Sequence, residues 1–142
     1  MEPKTKANKL CRRTRTFVLT CVGADGYPMT KAVLAGKRNQ GLDSLFFCTN
    51  TSSNFVSAVQ KNPKGNVYFY KRRLIVWRGC NLVGDFEVVQ DLSIKKKYWN
   101  PLFKGAYPGE DKTHTNPDFC VLRFVPSKGR LYANYALNDF EV

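Results

Sequence analysis

The chain has 142 residues, 43% of them hydrophobic, which suits one domain with a continuous core and is too apolar for a disordered or fibrous chain. Its 23 Lys and Arg against 11 Asp and Glu leave a net charge of +12, a field that favours anionic partners such as phosphate-bearing ligands, acidic surfaces or nucleic acid. The five cysteines, Cys11, Cys21, Cys48, Cys80 and Cys120, are odd in number and include no Cys-x-x-Cys pair, which argues against both a disulfide framework and a zinc site.

The N-terminus is polar, without the apolar segment of a secretory signal, and no apolar run is long enough to span a membrane. A soluble protein of a reducing compartment, the cytoplasm, is expected. Residues 4–15 hold six cations, Lys4, Lys6, Lys9, Arg12, Arg13 and Arg15. Residues 1–12 are expected to be a flexible or short helical basic lead-in to a single domain covering 1–142.

Thr16–Val22 reads Thr-Phe-Val-Leu-Thr-Cys-Val, a β-branched and aromatic run in which both alternating sets can be buried, as in a central barrel strand. Gly23-Ala24-Asp25-Gly26 is a turn signal and sets up a hairpin with a second strand at 28–35. A polar loop at 36–43 leads to a third strand at 44–49. The period then changes. Thr51, Ser52 or Ser53 can cap a helix whose apolar residues Phe55, Val56 and Val59 share a face, and Asn62-Pro63 stops it.

Residues 67–70 and 74–89 read as a long hairpin turning at Lys71, Arg72 and Arg73, with Gly79 and Gly84 as bulge or bend positions. Asp91 caps a second short helix that ends at Asn100-Pro101, and 102–117 is a loop. A final hairpin is expected from 119–125 and 130–135 across Pro126-Ser127-Lys128-Gly129. Some seven strands, a few short helices and no βαβ rhythm indicate a mainly β fold, an antiparallel barrel.

The single histidine, His114, lies in a loop, so a His-based metal cluster is excluded and the residue reads as a surface position. No nucleophile-elbow, Walker or dinucleotide-binding glycine pattern occurs. The informative stretch runs from Phe46 to Phe55, where an apolar strand opens into Thr49, Asn50, Thr51, Ser52, Ser53 and Asn54 and then into a helix. A helix start presents unpaired N–H groups and partial positive charge, and the hydroxyls add donors, so this is a candidate phosphate cradle; plain N-capping needs only one of them. Lys31 shares a strand face with Met29, Val33 and Ala35 by alternation, and a lysine among apolar neighbours requires an anion or an exit to water.

With these residues in place, the sequence resembles the pyridoxamine 5'-phosphate oxidase-like flavin-binding split-barrel family, most closely its general stress protein branch. The matching stretches are Asp25-Gly26-Tyr27-Pro28-Met29-Thr30-Lys31-Ala32-Val33, Phe46-Phe47-Cys48-Thr49-Asn50-Thr51-Ser52-Ser53, Asn62-Pro63, Gly84-Asp85-Phe86-Glu87-Val88-Val89-Gln90-Asp91, Tyr98-Trp99 and Phe119-Cys120-Val121-Leu122-Arg123-Phe124. The resemblance implies a split barrel, a homodimer and flavin mononucleotide (FMN) in clefts between the two chains. It implies cofactor contacts at Met29, Thr30 and Lys31, at Cys48, Thr49 and Asn50, and at Ser53 and Asn54. Lys31 takes the place of a basic residue on the FMN phosphate, and Ser53 that of the hydroxyl at the helix start.

The family commonly carries one or two basic residues directly after that serine; this chain has Asn54 and Phe55. A charge-assisted hydrogen bond is worth roughly 1.5–3 kcal/mol, so losing two would cost on the order of 3–6 kcal/mol. That corresponds to roughly a hundred- to ten-thousand-fold weaker FMN binding unless other groups compensate, with the Asn54 amide, the backbone donors and Lys71, Arg72 or Arg73 as the candidates.

The sequence thus supports a flavin-dependent oxidoreductase acting on a small substrate, with no residue singled out as catalytic. Alternatives are a cofactor-free split-barrel module for another anionic or aromatic ligand and, ranked last, nucleic-acid binding through the basic lead-in and the aromatic residues near Lys95.

Overall fold

A computed structural model describes all 142 residues. The chain is mainly β, an antiparallel split barrel. Helix α1 (Pro3–Arg13) is followed by β1 (Thr16–Val22), β2 (Pro28–Leu34), β3 (Leu45–Asn50), α2 (Asn54–Lys61), β4 (Lys64–Arg73), β5 (Val76–Val89), α3 (Leu92–Tyr98), a 3₁₀ turn (Pro101–Ala106), β6 (Phe119–Ala133) and β7 (Ala136–Glu141).

The strands order as β2-β1-β4-β5-β6-β3, with β7 paired to β6. Edge strands β2 and β3 touch through one bridge, Ala35 to Phe47, and part beyond it. That parting is the split. Inward positions supply one aromatic core, in which Phe17 packs edge-on against Phe47 and Phe69, both at 5.4 Å between ring centroids. Each such ring contributes roughly 1.5–3 kcal/mol of burial. In β1, Phe17, Leu19 and Cys21 are buried while Val18 and Thr20 are half-buried, so its two faces are less alike than their composition indicates.

Each helix forms where the capping chemistry allows. In α1, Pro3 opens the first turn and Ala7, Leu10 and Cys11 are buried, so the basic lead-in is a docked helix with its cations outside. Of the three candidate caps for α2, Ser53 holds the position and accepts from the Val56 N–H at 3.2 Å. Asp91 caps α3. The expected loop at 102–117 carries the 3₁₀ turn at its start.

Two turn assignments are corrected. The segment 119–133 is one continuous strand, not a hairpin: Phe119–Phe124 pairs with β3, Lys128–Ala133 pairs with β7, and β5 runs along the other side. Pro126, which has no N–H to donate, falls between those two partners and opposite a bulge at Val83 and Gly84. A Cβ on Gly84 would strike the Val125 carbonyl, which is why glycine occupies the bulge. The last hairpin instead turns at Asn134 and Tyr135, both left-handed (φ 53° and 61°), as a two-residue hairpin turn requires. The β4–β5 hairpin turns at Leu74 and Ile75, so Lys71, Arg72 and Arg73 belong to a strand and not to the turn.

Candidate functional site

The split places Lys31 of β2 opposite Thr49 of β3. Both point inward, and the Lys31 Nζ donates to the Thr49 Oγ1 at 2.9 Å, joining the two strands where their backbones no longer pair. The ammonium also lies 4.8 Å from the centroid of the Phe55 ring, the first apolar residue of α2. Burial holds the Lys31 amine below its ordinary range, partly offset by the neighbouring Cys120 and Cys21 thiols. No carboxylate pairs with it.

Phe55 is buried and packs edge-on against Phe86 at 5.4 Å. The residue standing where the family places a cation is therefore a core ring beneath Lys31. Asn54, by contrast, is exposed and lines a hollow of ≈ 280 Å³ with Asp25, Met29, Ser57 and Lys61.

The donor-rich segment between β3 and α2 is largely committed within the chain. The Asp118 carboxylate accepts from the Ser52 N–H and from the Asn50 amide, both at 2.8 Å, while its carbonyl accepts from the Thr51 N–H at 2.7 Å. Asn50 gives its second amide hydrogen to the Ala106 carbonyl. Burial pushes the Asp118 carboxyl up, but the hydrogen bonds from Asn50 and Ser52 outweigh it and leave the group below its usual range. Asn50 and Ser52 thus hold an anion supplied by the protein itself. The N–H groups of Asn54 and Phe55 make no bond within the chain and remain free at the start of α2.

Cys48 faces the other way, into a hollow of ≈ 260 Å³ between the split and the α3–3₁₀ segment, with Val33, Ala35, Tyr98, Phe103 and Tyr107. Burial, with Cys120 second, pushes its thiol up to about 12, so it serves as an apolar wall with a weak bond to the Tyr98 carbonyl. Tyr98 stacks on Phe46 at 4.7 Å and 18°. Thr30 lies on the outer face of β2, where its hydroxyl meets that of Thr20 at 3.0 Å, away from Lys31.

The expected residues therefore fall into groups. Lys31 and Thr49 meet at the split; Cys48, Thr49 and Asn50 border the apolar hollow; Met29 and Asn54 border the hollow beside α2; Ser53 caps the helix. Asp118 is the participant that spacing did not indicate. It comes from the far side of the chain and announces itself by no local pattern.

Fold and site together define an antiparallel split barrel in which a half-buried lysine meets Thr49 at the split, and Thr49 also borders an apolar hollow. The family described as pyridoxamine 5'-phosphate oxidase like matches residues 2–138, and the chain belongs to it. Among solved structures, a Clostridium acetobutylicum protein related to general stress protein 26 of B. subtilis (pyridoxinephosphate oxidase family) is 26% identical with a TM-score of 0.81, covering 100% of this chain and 97% of that one. A heme binding protein from Mycobacterium smegmatis is 12% identical with a TM-score of 0.76, over 99% of this chain and 58% of that one. A pyridoxamine 5'-phosphate oxidase-related, FMN binding protein from Nostoc punctiforme is 13% identical with a TM-score of 0.66, over 98% and 92%. A search of curated proteins gives no match. No helix is long and apolar enough to cross a membrane.

Proposed function

We propose that the protein is a homodimeric FMN-binding protein and acts as a flavin-dependent oxidoreductase on a small substrate. The observation that carries this is the half-buried, carboxylate-free Lys31 held at the split by Thr49, in a chain of this family. Lys31 and the free N–H groups of Asn54 and Phe55 provide one cation and two backbone donors, a set that fits a phosphate monoester with less charge than the family commonly supplies. The ≈ 260 Å³ hollow beside Cys48 supplies an apolar, aromatic wall for a planar ring.

FMN, when bound, would supply the redox chemistry, and the chain would supply orientation and exclusion of water. Tyr98, Tyr107 and Phe103 would keep one side of the hollow dry; Asn50 and Asp118 would hold the loop that shapes its rim. A dimer is favoured by the exposed aromatic and aliphatic side chains at the β4–β5 tip, where Leu74 is 84% and Ile75 78% exposed.

A second reading rests on Phe55 and Asp118. One fills core space and the other occupies the loop donors, as a split barrel taking a different anionic or aromatic ligand would have them. Adding FMN to the purified protein and desalting it separates the two. Co-eluting yellow flavin supports the first; colourless protein without FMN affinity leaves the second.

A further inference from the structure

The β4–β5 hairpin runs past the barrel. Pairing of β4 with β1 stops at Tyr68, and pairing of β5 with β6 begins at Gly79, yet β4 and β5 stay paired to Arg73 and Val76. Residues 70–78 are all exposed and form a two-stranded arm with no third strand and no core beneath it. An isolated two-stranded ribbon is marginal in water, so an arm of this length with Leu74, Ile75 and Trp77 exposed is built to lie against something.

The two faces of the arm differ. One carries Tyr70, Arg72 and Trp77 and continues into Tyr68 and Tyr132; Arg72 is tied to the Leu74 carbonyl at 2.6 Å. The other carries Lys71 directly across from Arg78, with Arg73 one step further out. Like charges directly opposite on a sheet are destabilising, no acidic residue occurs between 70 and 78, and none of the three cations makes an ion pair or side-chain hydrogen bond. Three unpaired cations on one face of a projecting arm form a basic patch suited to an anion from elsewhere.

The arm does not reach the split of its own barrel. Lys31 is in register with Leu19, and Leu19 with Val67, so Lys71 stands two strand spacings and four residues away, roughly 16 Å between backbones at about 3.3 Å per residue and 4.8 Å per strand. Lys71 and its neighbours climb away from Lys31 toward the tip. The split itself lacks cations where Asn54 and Phe55 stand.

We propose that the arm of one protomer lies over the split of a second copy of this chain, and that Lys71, Arg73 and Arg78 supply in trans the phosphate-binding cations which that copy's own α2 lacks. This rests on the FMN reading above. The exposed Leu74–Ile75 tip packs on the partner barrel, and the cationic face closes on the phosphate held by the partner's cradle. The cation deficit and the cation excess within one sequence are then the two halves of one site.

The test is FMN and riboflavin titration of wild type and of the exposed triple variant Lys71→Gln, Arg73→Gln, Arg78→Gln, with light scattering to report oligomeric state and a thermal melt to report folding. The expected result is FMN affinity at least tenfold lower, riboflavin affinity unchanged because it lacks the phosphate, and a retained dimer. Co-expression of the triple variant with Lys31→Gln then creates mixed dimers in which one cradle faces an intact arm, and these regain a tight FMN site. Unchanged FMN affinity in the triple variant, equal losses for FMN and riboflavin, no recovery in mixed dimers, or a monomeric FMN-binding wild type overturns the inference and leaves FMN binding itself standing, the last of these without the dimer. A wild type that binds no FMN overturns both.

Discussion

Lys31 of β2 donates to Thr49 of β3 at 2.9 Å across the one place where the barrel wall is not closed by backbone pairing. That contact is both a strut and a site. The ammonium is half-buried over the Phe55 ring, and its hydrogen-bond partner is a neutral hydroxyl. A bound phosphate would offer a stronger acceptor than Thr49 does.

Replacing Lys31 by Met separates the two roles. The apolar chain fills the same volume beside Leu19 and Phe55, so folding stability is expected to stay within about 1 kcal/mol of wild type by chemical denaturation. FMN affinity is expected to fall roughly tenfold to a hundredfold, the equivalent of one charge-assisted hydrogen bond.

Asn54→Arg is expected to strengthen FMN binding. The position is exposed at the start of α2, so a guanidinium there can meet a phosphate without disturbing the core. A cation at a helix N-terminus costs about 0.3–1 kcal/mol, less than a charge-assisted bond returns. Titration with FMN and a parallel melt without it would show tighter binding alongside slightly lower stability. Phe55→Lys would instead remove a buried ring packed on Phe86, at a cost of about 3–5 kcal/mol.

Asp118 ties the segment after β3 to the start of β6. Asp118→Ala is expected to destabilise the fold by about 1–3 kcal/mol through the bonds lost to Ser52 and Asn50. Its carboxyl is depressed in the folded state, so its contribution is present above the unfolded carboxylate pKa and is lost as pH falls through the folded value. The stability gap between wild type and Asp118→Ala, measured by urea unfolding, should therefore be constant near neutrality and shrink below about pH 4.

Ser53→Ala removes the side-chain acceptor of the Val56 N–H and is expected to cost about 1 kcal/mol in thermal or denaturant unfolding.

Much of this architecture was legible because local chemistry and tertiary packing agree. The β-branched and aromatic run at 16–22 placed β1, a cap among Thr51, Ser52 and Ser53 with Asn62-Pro63 bracketed α2, Asp91 started α3, and Lys31 stood out as a cation among inward apolar positions. Where the reading failed, long-range pairing outweighed a local signal. Pro126-Ser127-Lys128-Gly129 looks like a turn, but β5 templates the strand straight through it, and the true turn at Asn134-Tyr135 lacks the glycine that marks such turns. The basic triplet at 71–73 was legible as charge and not as an arm, since only the end of the β1 and β6 pairings shows where the barrel stops. Asp118 was invisible because a carboxylate filling a donor-rich loop from 66 residues away leaves no spacing to detect.

The central claim is that the split between β2 and β3 binds FMN through Lys31. Titrating FMN into wild type and Lys31→Gln while following flavin fluorescence tests it most directly. Saturable binding by wild type with affinity at least tenfold weaker in Lys31→Gln is the predicted result; no saturable binding by wild type, or equal affinity in both proteins, would contradict it.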